Sequence, residues 1–537
     1  MASRSLPTIH ADNRRWFTLG AMCFALFMVM LDNTVVNVAL PSIQRDLNVS
    51  ISNLEWTVNA YTLTFAVLLV TGGRLGDIFG RRRIFLCGVA IFGLSSLFIA
   101  FSQTDVWLIA GRAAQGVGAA LMMPATLSII TNTFPPEERG KAIGTWAGAS
   151  AIALAIGPVV GGFLVENVSW QSIFLINVPV AAIAVGVTLW AAHESRDESA
   201  ARFVDVPGVL TLTAGLGALV LSLVEGNDWG WGSPQIIALW VVSAVALTAF
   251  VVVERRSPAP MLDFSYFRSR SFLGANLVAF IVSFAMLAMF FFLALYMQNI
   301  HGYTPLQAGV RFLPSTVVII FMGPISGRLA DRIGPRIPMV GGLVLVAISL
   351  FWQGHLAVDS SYAFLVGAFV LMGLGMGLVM SPMSTAAMNA VDQAKAGAAS
   401  GVLSMSRMVG GTFGVAIVGA LISGLGRSKL TSLLPGASPA RIDRLTSSLA
   451  NGGAGIPGRA GAAVQTAFVD AMNVSLQIGA AVALAGAVIA WVLVADAPSV
   501  VAETSSLEAR IELDLAEAGS AGGSPQGEFA ERDLLRT

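Results

Sequence analysis

Fourteen apolar runs, most of them close to the ~20 residues that a helix needs to cross a bilayer, constrain what this chain can become. They lie near 16–40, 53–72, 84–102, 106–132, 141–165, 171–192, 206–224, 235–254, 271–298, 306–326, 337–355, 362–389, 398–423 and 474–495. In hydrocarbon every backbone N–H and C=O must find a partner within the protein, so runs of this length read as transmembrane α-helices. Composition agrees: 55% of the residues are apolar and 12% charged, against about 25% charged in soluble domains, and mean hydropathy is +0.76. The expected class is an all-α integral membrane protein. The first run is too long for a signal-peptide core and a second soon follows it, so it reads as uncleaved. Cys23 and Cys87 both fall inside runs, which leaves neither a disulfide framework nor a metal cluster.

Lysine and arginine sort the breaks into two kinds. One set carries Arg74, Arg81, Arg82 and Arg83; then Arg139 and Lys141; Arg196 and Arg202; Arg255, Arg256, Arg268 and Arg270; Arg328, Arg332 and Arg336; and Lys395. The short breaks between them hold only Arg45 and acids such as Asp105, Glu166, Asp228 and Asp359. Basic breaks stay in the cytoplasm, so both termini are expected there and the protein in the cell (plasma or inner) membrane. One outer break, 424–473, is long and rich in Gly, Ala, Ser and Pro; its Arg441, Asp443 and Arg444 predict a short amphipathic hairpin outside the membrane. The polar tail 496–537 is expected to be partly disordered, with a possible acidic helix over 504–518.

Asp32 sits well inside the first run, where a charged carboxylate costs roughly 3 kcal/mol or more unless it has a partner or a task. Asn33 and Asn37, four residues apart, add polarity beside it, so this face is expected to look into a cavity rather than at lipid. Arg112 lies in the fourth run at a matching depth, roughly 9–14 Å below the outer surface at 1.5 Å per residue, and the two can pair. Gln115 follows Arg112 on the same helical face. Burial disfavours the charged form of a carboxylate and a nearby guanidinium favours it. A site where that balance changes between conformations can take up and release a proton. Arg407, near the middle of the thirteenth run, has no acidic partner in the second half and is a candidate substrate-facing residue.

The segment Gly72–Arg83 has an echo at Ser326–Arg336. Gly73, Arg74, Leu75, Asp77, Gly80 and Arg82 match Gly327, Arg328, Leu329, Asp331, Gly334 and Arg336 at a constant offset of 254 residues. An internal repeat of six spans accounts for about 190 of these and two extra spans for about 60. The expected organisation is a cytoplasmic segment 1–15, a six-helix bundle 16–192, two inserted helices 206–254, and a second six-helix bundle 271–495 that includes the outer loop.

At this point the chain resembles a family. LDNTVVNVALP at Leu31–Pro41, the Gly-x-Leu-x-Asp-x-x-Gly-Arg-Arg-Arg segment at Gly73–Arg83, Arg-x-x-Gln-Gly-x-Gly at Arg112–Gly118 and Gly-Pro-x-x-Gly-Gly at Gly157–Gly162 occur in the order seen in the fourteen-span drug:proton antiporters of the major facilitator superfamily. The resemblance implies proton and substrate handling by Asp32 and Arg112. It implies a latch at the cytoplasmic side built on Gly73, Asp77, Gly80, Arg81, Arg82, Arg83 and Asp331, with Asp77 held in a tight glycine-flanked turn and accepting from a helix N-terminus or an arginine of the other half. It also implies an exporter motif at Gly157, Pro158, Gly161 and Gly162.

The expectation is therefore a secondary exporter, not an enzyme, that exchanges protons for small amphipathic drugs or antibiotics. It needs the lipid bilayer and the proton gradient, uses no cofactor, binds no nucleic acid and acts as a monomer. Two alternatives stand beside it: a carrier for one endogenous metabolite, siderophore or lipid-like compound, and a membrane sensor that transports nothing. An ATP-driven pump is disfavoured because no phosphate-binding Gly-x-x-x-x-Gly-Lys-Ser/Thr loop occurs. With Asp32 as the sole acid deep within any span, the sequence predicts neutral or singly cationic substrates and poor transport of dications.

Overall fold

The computed structural model describes residues 11–47, 51–198, 205–257, 260, 262, 264–449 and 456–495, and among these it is helical with no strand. In chain order the helices are α1 (Ala11–Leu47), α2 (Ile51–Phe79), α3 (Arg81–Ala100), α4 (Asp105–Thr133), α5 (Pro136–Asn167), the one-turn α6 (Ser172–Leu175), α7 (Asn177–Ala191), α8 (Val206–Trp229) and α9 (Pro234–Arg256). There follow α10 (Arg270–Leu295), extended by a π-helical turn over Tyr296–Ile300, then α11 (Pro305–Arg311), α12 (Leu313–Ile333), α13 (Arg336–Gln353), α14 (Tyr362–Asn389), α15 (Ala396–Leu433), the short α16 (Pro439–Ser447) and α17 (Gly458–Leu493). Among the described residues thirteen helical stretches are long and apolar enough to cross a membrane. α5 is outside that count, though its 32 residues give it the length.

Small residues set the packing, as they do where lipid supplies no drive to bury apolar surface. A side chain at Gly72 of α2 would strike the Ala120 carbonyl of α4, and one at Gly116 of α4 would strike Thr64 and the Tyr61 carbonyl of α2. α3 and α4 meet in the same way at Gly88 and Gly118. Two further seams join the first half of the chain to the second: α2 runs along α15, and α5 along α12. α8 lies over the first of these seams, touching both α2 and α15, while α9 packs chiefly on α8 and turns Trp240, Val241, Val242 and Val245 outward.

Three sequence expectations are corrected here. Asp77 is not in a turn: α2 continues through Phe79, and Gly80 alone, at φ 108°, reverses the chain before Arg81 opens α3. Polar residues at the membrane edge do not stop a helix, and one glycine at positive φ suffices for the reversal. Gly334 repeats that geometry at φ 84° between α12 and α13, so the 254-residue repeat extends to the backbone. The stretch 424–473, expected to be an outer loop with a hairpin, is mostly helix among its described residues. α15 reaches Leu433, α17 starts at Gly458, and the single helix α16 seats Ile442 and Leu445 inward. Ion pairs Arg427–Asp443 and Lys429–Asp470, both 2.7 Å, tie this extension together; residues 450–455 lie outside the described set. The tenth run is broken at Phe312, ahead of Pro314, and its first piece, α11, is opened by a Thr304–Gln307 capping box. The tail 496–537 lies outside the described residues.

Candidate functional site

Asp32 and Arg112 meet in the interior of the first half. Arg112 Nη1 donates to Asp32 Oδ2 at 2.5 Å, and both side chains are 1% exposed. The rest of the guanidinium is also held: Nη1 donates to Gln115 Oε1 at 2.7 Å, Nε to the Thr57 carbonyl at 3.0 Å, and the Tyr61 ring lies 4.3 Å from its carbon. Gln115 Nε2 donates to Ser96 Oγ at 2.6 Å, and Asn177 Nδ2 donates to Asp32 Oδ1 at 3.3 Å and Ser96 Oγ at 3.4 Å. Five helices (α1, α2, α3, α4 and α7) thus converge on one carboxylate.

This arrangement revises the cavity expectation. Asp32 and Gln115 do not look into an open space; both are buried, and Gln115 spends its amide on Arg112 and Ser96. An ion pair at this depth is stable only when its remaining donors and acceptors are satisfied, which is what Ser96, Asn177 and Thr57 do. Sequence reasoning missed those three and Tyr61. Asn177, a polar residue just inside an apolar run, carried the one signal that could have found the set. Asn33 is half-buried beside Asp32, and the Asn37 side chain lies outside the described residues.

The glycine motif of α5 faces α1 next to this site. A side chain at Gly157 would strike Thr34, and one at Gly161 would press on Val35, two and three residues past Asp32. Gly162 has nothing near it, so the close-contact face is Gly157 and Gly161 alone. α5 passes unbroken through position 158; the Pro158 side chain lies outside the described residues.

At the arginine-rich end the two seams are closed by the repeated segment. Asp77 accepts from the backbone N–H groups of Gly397 (2.9 Å) and Ala398 (2.7 Å), the first turn of α15, and from Arg81 at 2.7 Å. A carboxylate at a helix N-terminus is favoured by the dipole and the unpaired N–H groups there. Arg81 crosses the seam as well, donating to the Gln393 (3.0 Å) and Ala394 (2.6 Å) carbonyls. In the other seam Asp331, the repeat equivalent of Asp77, accepts from Gly140 N–H of α5 at 3.2 Å. Gly73 lies against Gly397, and Gly327 against Gly140, too close for any side chain. Arg82 and Arg83 take no part across the seam; they turn to the Leu189 carbonyl and to Glu194 of their own half. Arg407 reaches over the Trp146 ring of α5, 5.8 Å from its centroid.

Residues 22–415 of this chain match the family model for the Major Facilitator Superfamily. The chain belongs to the major facilitator superfamily. Among its relatives are the tetracenomycin C resistance and export protein of Streptomyces glaucescens, 34% identical over 90% of this chain and 92% of that one. The puromycin resistance protein of Streptomyces alboniger is 36% identical over 92% and 94%, and a multidrug resistance protein of Mycobacterium tuberculosis is 37% identical over 80% and 79%. A solved proton:xylose symporter superposes with a TM-score of 0.62 at 13% identity, covering 91% of this chain and 98% of that one, which bears on the fold alone. Membership of this transporter superfamily, with the apolar helices described above, makes the chain a multi-pass membrane transporter.

Proposed function

We propose that this protein is a proton-coupled antiporter that exports amphipathic drugs or antibiotics by alternating access. It has fourteen spans: bundles over 16–192 and 271–495, two inserted helices over 206–254, and both termini in the cytoplasm. The observation that carries the proton role is the buried Asp32–Arg112 pair, whose carboxylate is enclosed by groups from four other helices. Protonating Asp32 cancels the attraction that holds Arg112, so a proton arriving at this site releases α1 from α4. The Gly157–Gly161 face of α5 rests on α1 immediately beyond Asp32, which supports coupling of that release to the seam between halves.

On this reading the arginine-rich end is cytoplasmic, and Asp77, Arg81 and Asp331 latch it shut in the conformation described. The export direction and the substrate class rest on relatives named for antibiotic resistance and export. Relatives named for a single antibiotic support a narrower second reading, a carrier dedicated to one compound. Inverted membrane vesicles energised with a proton gradient test the proposal. A panel of amphipathic dyes should be taken up with release of protons from the lumen, and uptake without proton movement would overturn the coupling. Uptake of a single member of the panel would favour the dedicated carrier.

A further inference from the structure

Arg407 of α15, in the second half, and Trp146 of α5, in the first, meet between the two seams. Trp146 is 2% exposed, yet its indole Nε1–H has no protein acceptor. Arg407 is half-buried, and among the described residues no carboxylate, carbonyl or hydroxyl accepts from its guanidinium. Two donors without acceptors, one of them charged, therefore sit together within the membrane. Arg407 lies six residues beyond Gly401, where α15 packs closely on Leu69 and Val70 of α2; at 1.5 Å per residue that is roughly 9 Å farther from the latched end.

The charge around this pair is one-sided. Asp32 is matched by Arg112, Asp77 by Arg81 and the first turn of α15, and Asp331 is engaged in the second seam. Asp392 caps its own turn, and Glu225 and Glu254 belong to the inserted helices α8 and α9. Among the described residues Arg407 is left without a matching carboxylate, and a cation held in a membrane interior ordinarily has an anionic partner. We propose that Arg407 and Trp146 form the subsite that anchors the acidic group of an amphipathic organic monoanion, an aromatic carboxylate or phenolate. The guanidinium supplies a two-pronged charged donor and the indole a third N–H. The Trp146 ring already carries the guanidinium over its face, 5.8 Å from the centroid, and so helps to hold the charged fork in place. This reverses the sign expected from the sequence, where Asp32 stood as the governing charge. The inference rests on the export reading and narrows its substrate class.

The test uses the full-length protein in lipid nanodiscs with three fluorescent probes of one shape: 9-anthracenecarboxylate, its neutral primary amide, and 9-anthrylmethylammonium. The wild type should bind the carboxylate best. Arg407→Gln should weaken the carboxylate by about ten- to a hundred-fold while leaving the amide within about two-fold, since a hydrogen bond to a charged group is lost for one probe alone. Arg407→Lys, which keeps the charge but not the fork, should fall between, and Trp146→Phe should cost the carboxylate about three-fold. Retained amide binding reports that each variant is folded; should Arg407→Gln fail to fold, the Lys and Phe variants carry the same comparison. A wild type that prefers the ammonium probe, or variants that bind the carboxylate as the wild type does, would overturn the proposal. Binding that depends on Arg407 without any proton-driven movement of the carboxylate in vesicles would support the anion subsite and overturn the export reading.

Discussion

At the scale of single residues, the central fact is that Asp32 and Arg112 are paired with both side chains only 1% exposed. Breaking a buried pair by removing one partner leaves an uncompensated charge and costs roughly 3–5 kcal/mol, whereas neutralising both leaves a polar but uncharged site. Arg112→Leu is therefore expected to lower the melting temperature of the detergent-purified protein by several degrees. Adding Asp32→Asn to it should recover most of that loss. Neither the single nor the double variant should couple efflux to protons, and Asp32→Asn alone should insert normally and abolish coupled efflux. Scanning fluorimetry and proton-release assays at matched expression read these outcomes; a double variant no more stable than Arg112→Leu would mean the pair is not the source of the penalty. The pair was legible in the sequence because depth along two runs can be counted. Its supporting cast was not. Ser96, Thr57 and Tyr61 are ordinary residues of apolar helices until a third helix brings them beside a charge.

At the scale of elements, the two seams are closed by one device used twice, a carboxylate near the end of a helix facing a glycine of the other half. In the first, Asp77 accepts from two backbone N–H groups and from Arg81; in the second, Asp331 accepts from Gly140 N–H. Asp77→Asn, which removes the charge behind three of these bonds, should open the latched end. A cysteine at Ser400, buried on α15 and without a hydrogen-bond partner for its hydroxyl, serves as reporter once Cys23 and Cys87 are replaced. Labelling from the side of the latched end should rise about ten-fold in Asp77→Asn, consistent with the loss of charge-assisted bonds. Labelling unchanged by Asp77→Asn would show that the glycine contacts, not the carboxylate, hold this seam. The repeat was plain at an offset of 254 residues. That its aspartates lie on helices instead of in loops was not, because glycine and charge mark the end of hydrocarbon and not the end of a helix.

At the scale of the whole molecule, the sign of the substrate sets how transport responds to voltage. Each charge crossing the membrane is worth ~2.3 kcal/mol per 100 mV, and each pH unit ~1.4 kcal/mol. A proton entering as a neutral compound leaves moves one charge; a proton entering as a monoanion leaves moves two. Collapsing a 100 mV potential should therefore reduce the steady gradient of 9-anthracenecarboxylate by about three orders of magnitude and that of its amide by under two, at one-for-one exchange. Valinomycin with potassium in inverted vesicles sets the potential. Equal responses of the two probes would indicate that the carboxylate crosses in its protonated form.

The sequence by itself determined the class of molecule, the internal repeat and that Asp32 and Arg112 can meet. Hydrocarbon leaves the backbone no partner but itself, and a charge placed in it can be located by counting residues from the nearest polar break. Only the tertiary structure decided which helices meet. Lipid is as apolar as leucine, so burial of apolar surface gives no preference among neighbours; the choice falls to shape, such as Gly73 against Gly397, and to the pairing of a few polar groups. Arg407 carries the same charge in either view. That its neighbour is an indole whose N–H has no acceptor among the described residues, and not a carboxylate, depends on where the two halves place α5 and α15, a relation between residues 261 positions apart that no local pattern encodes.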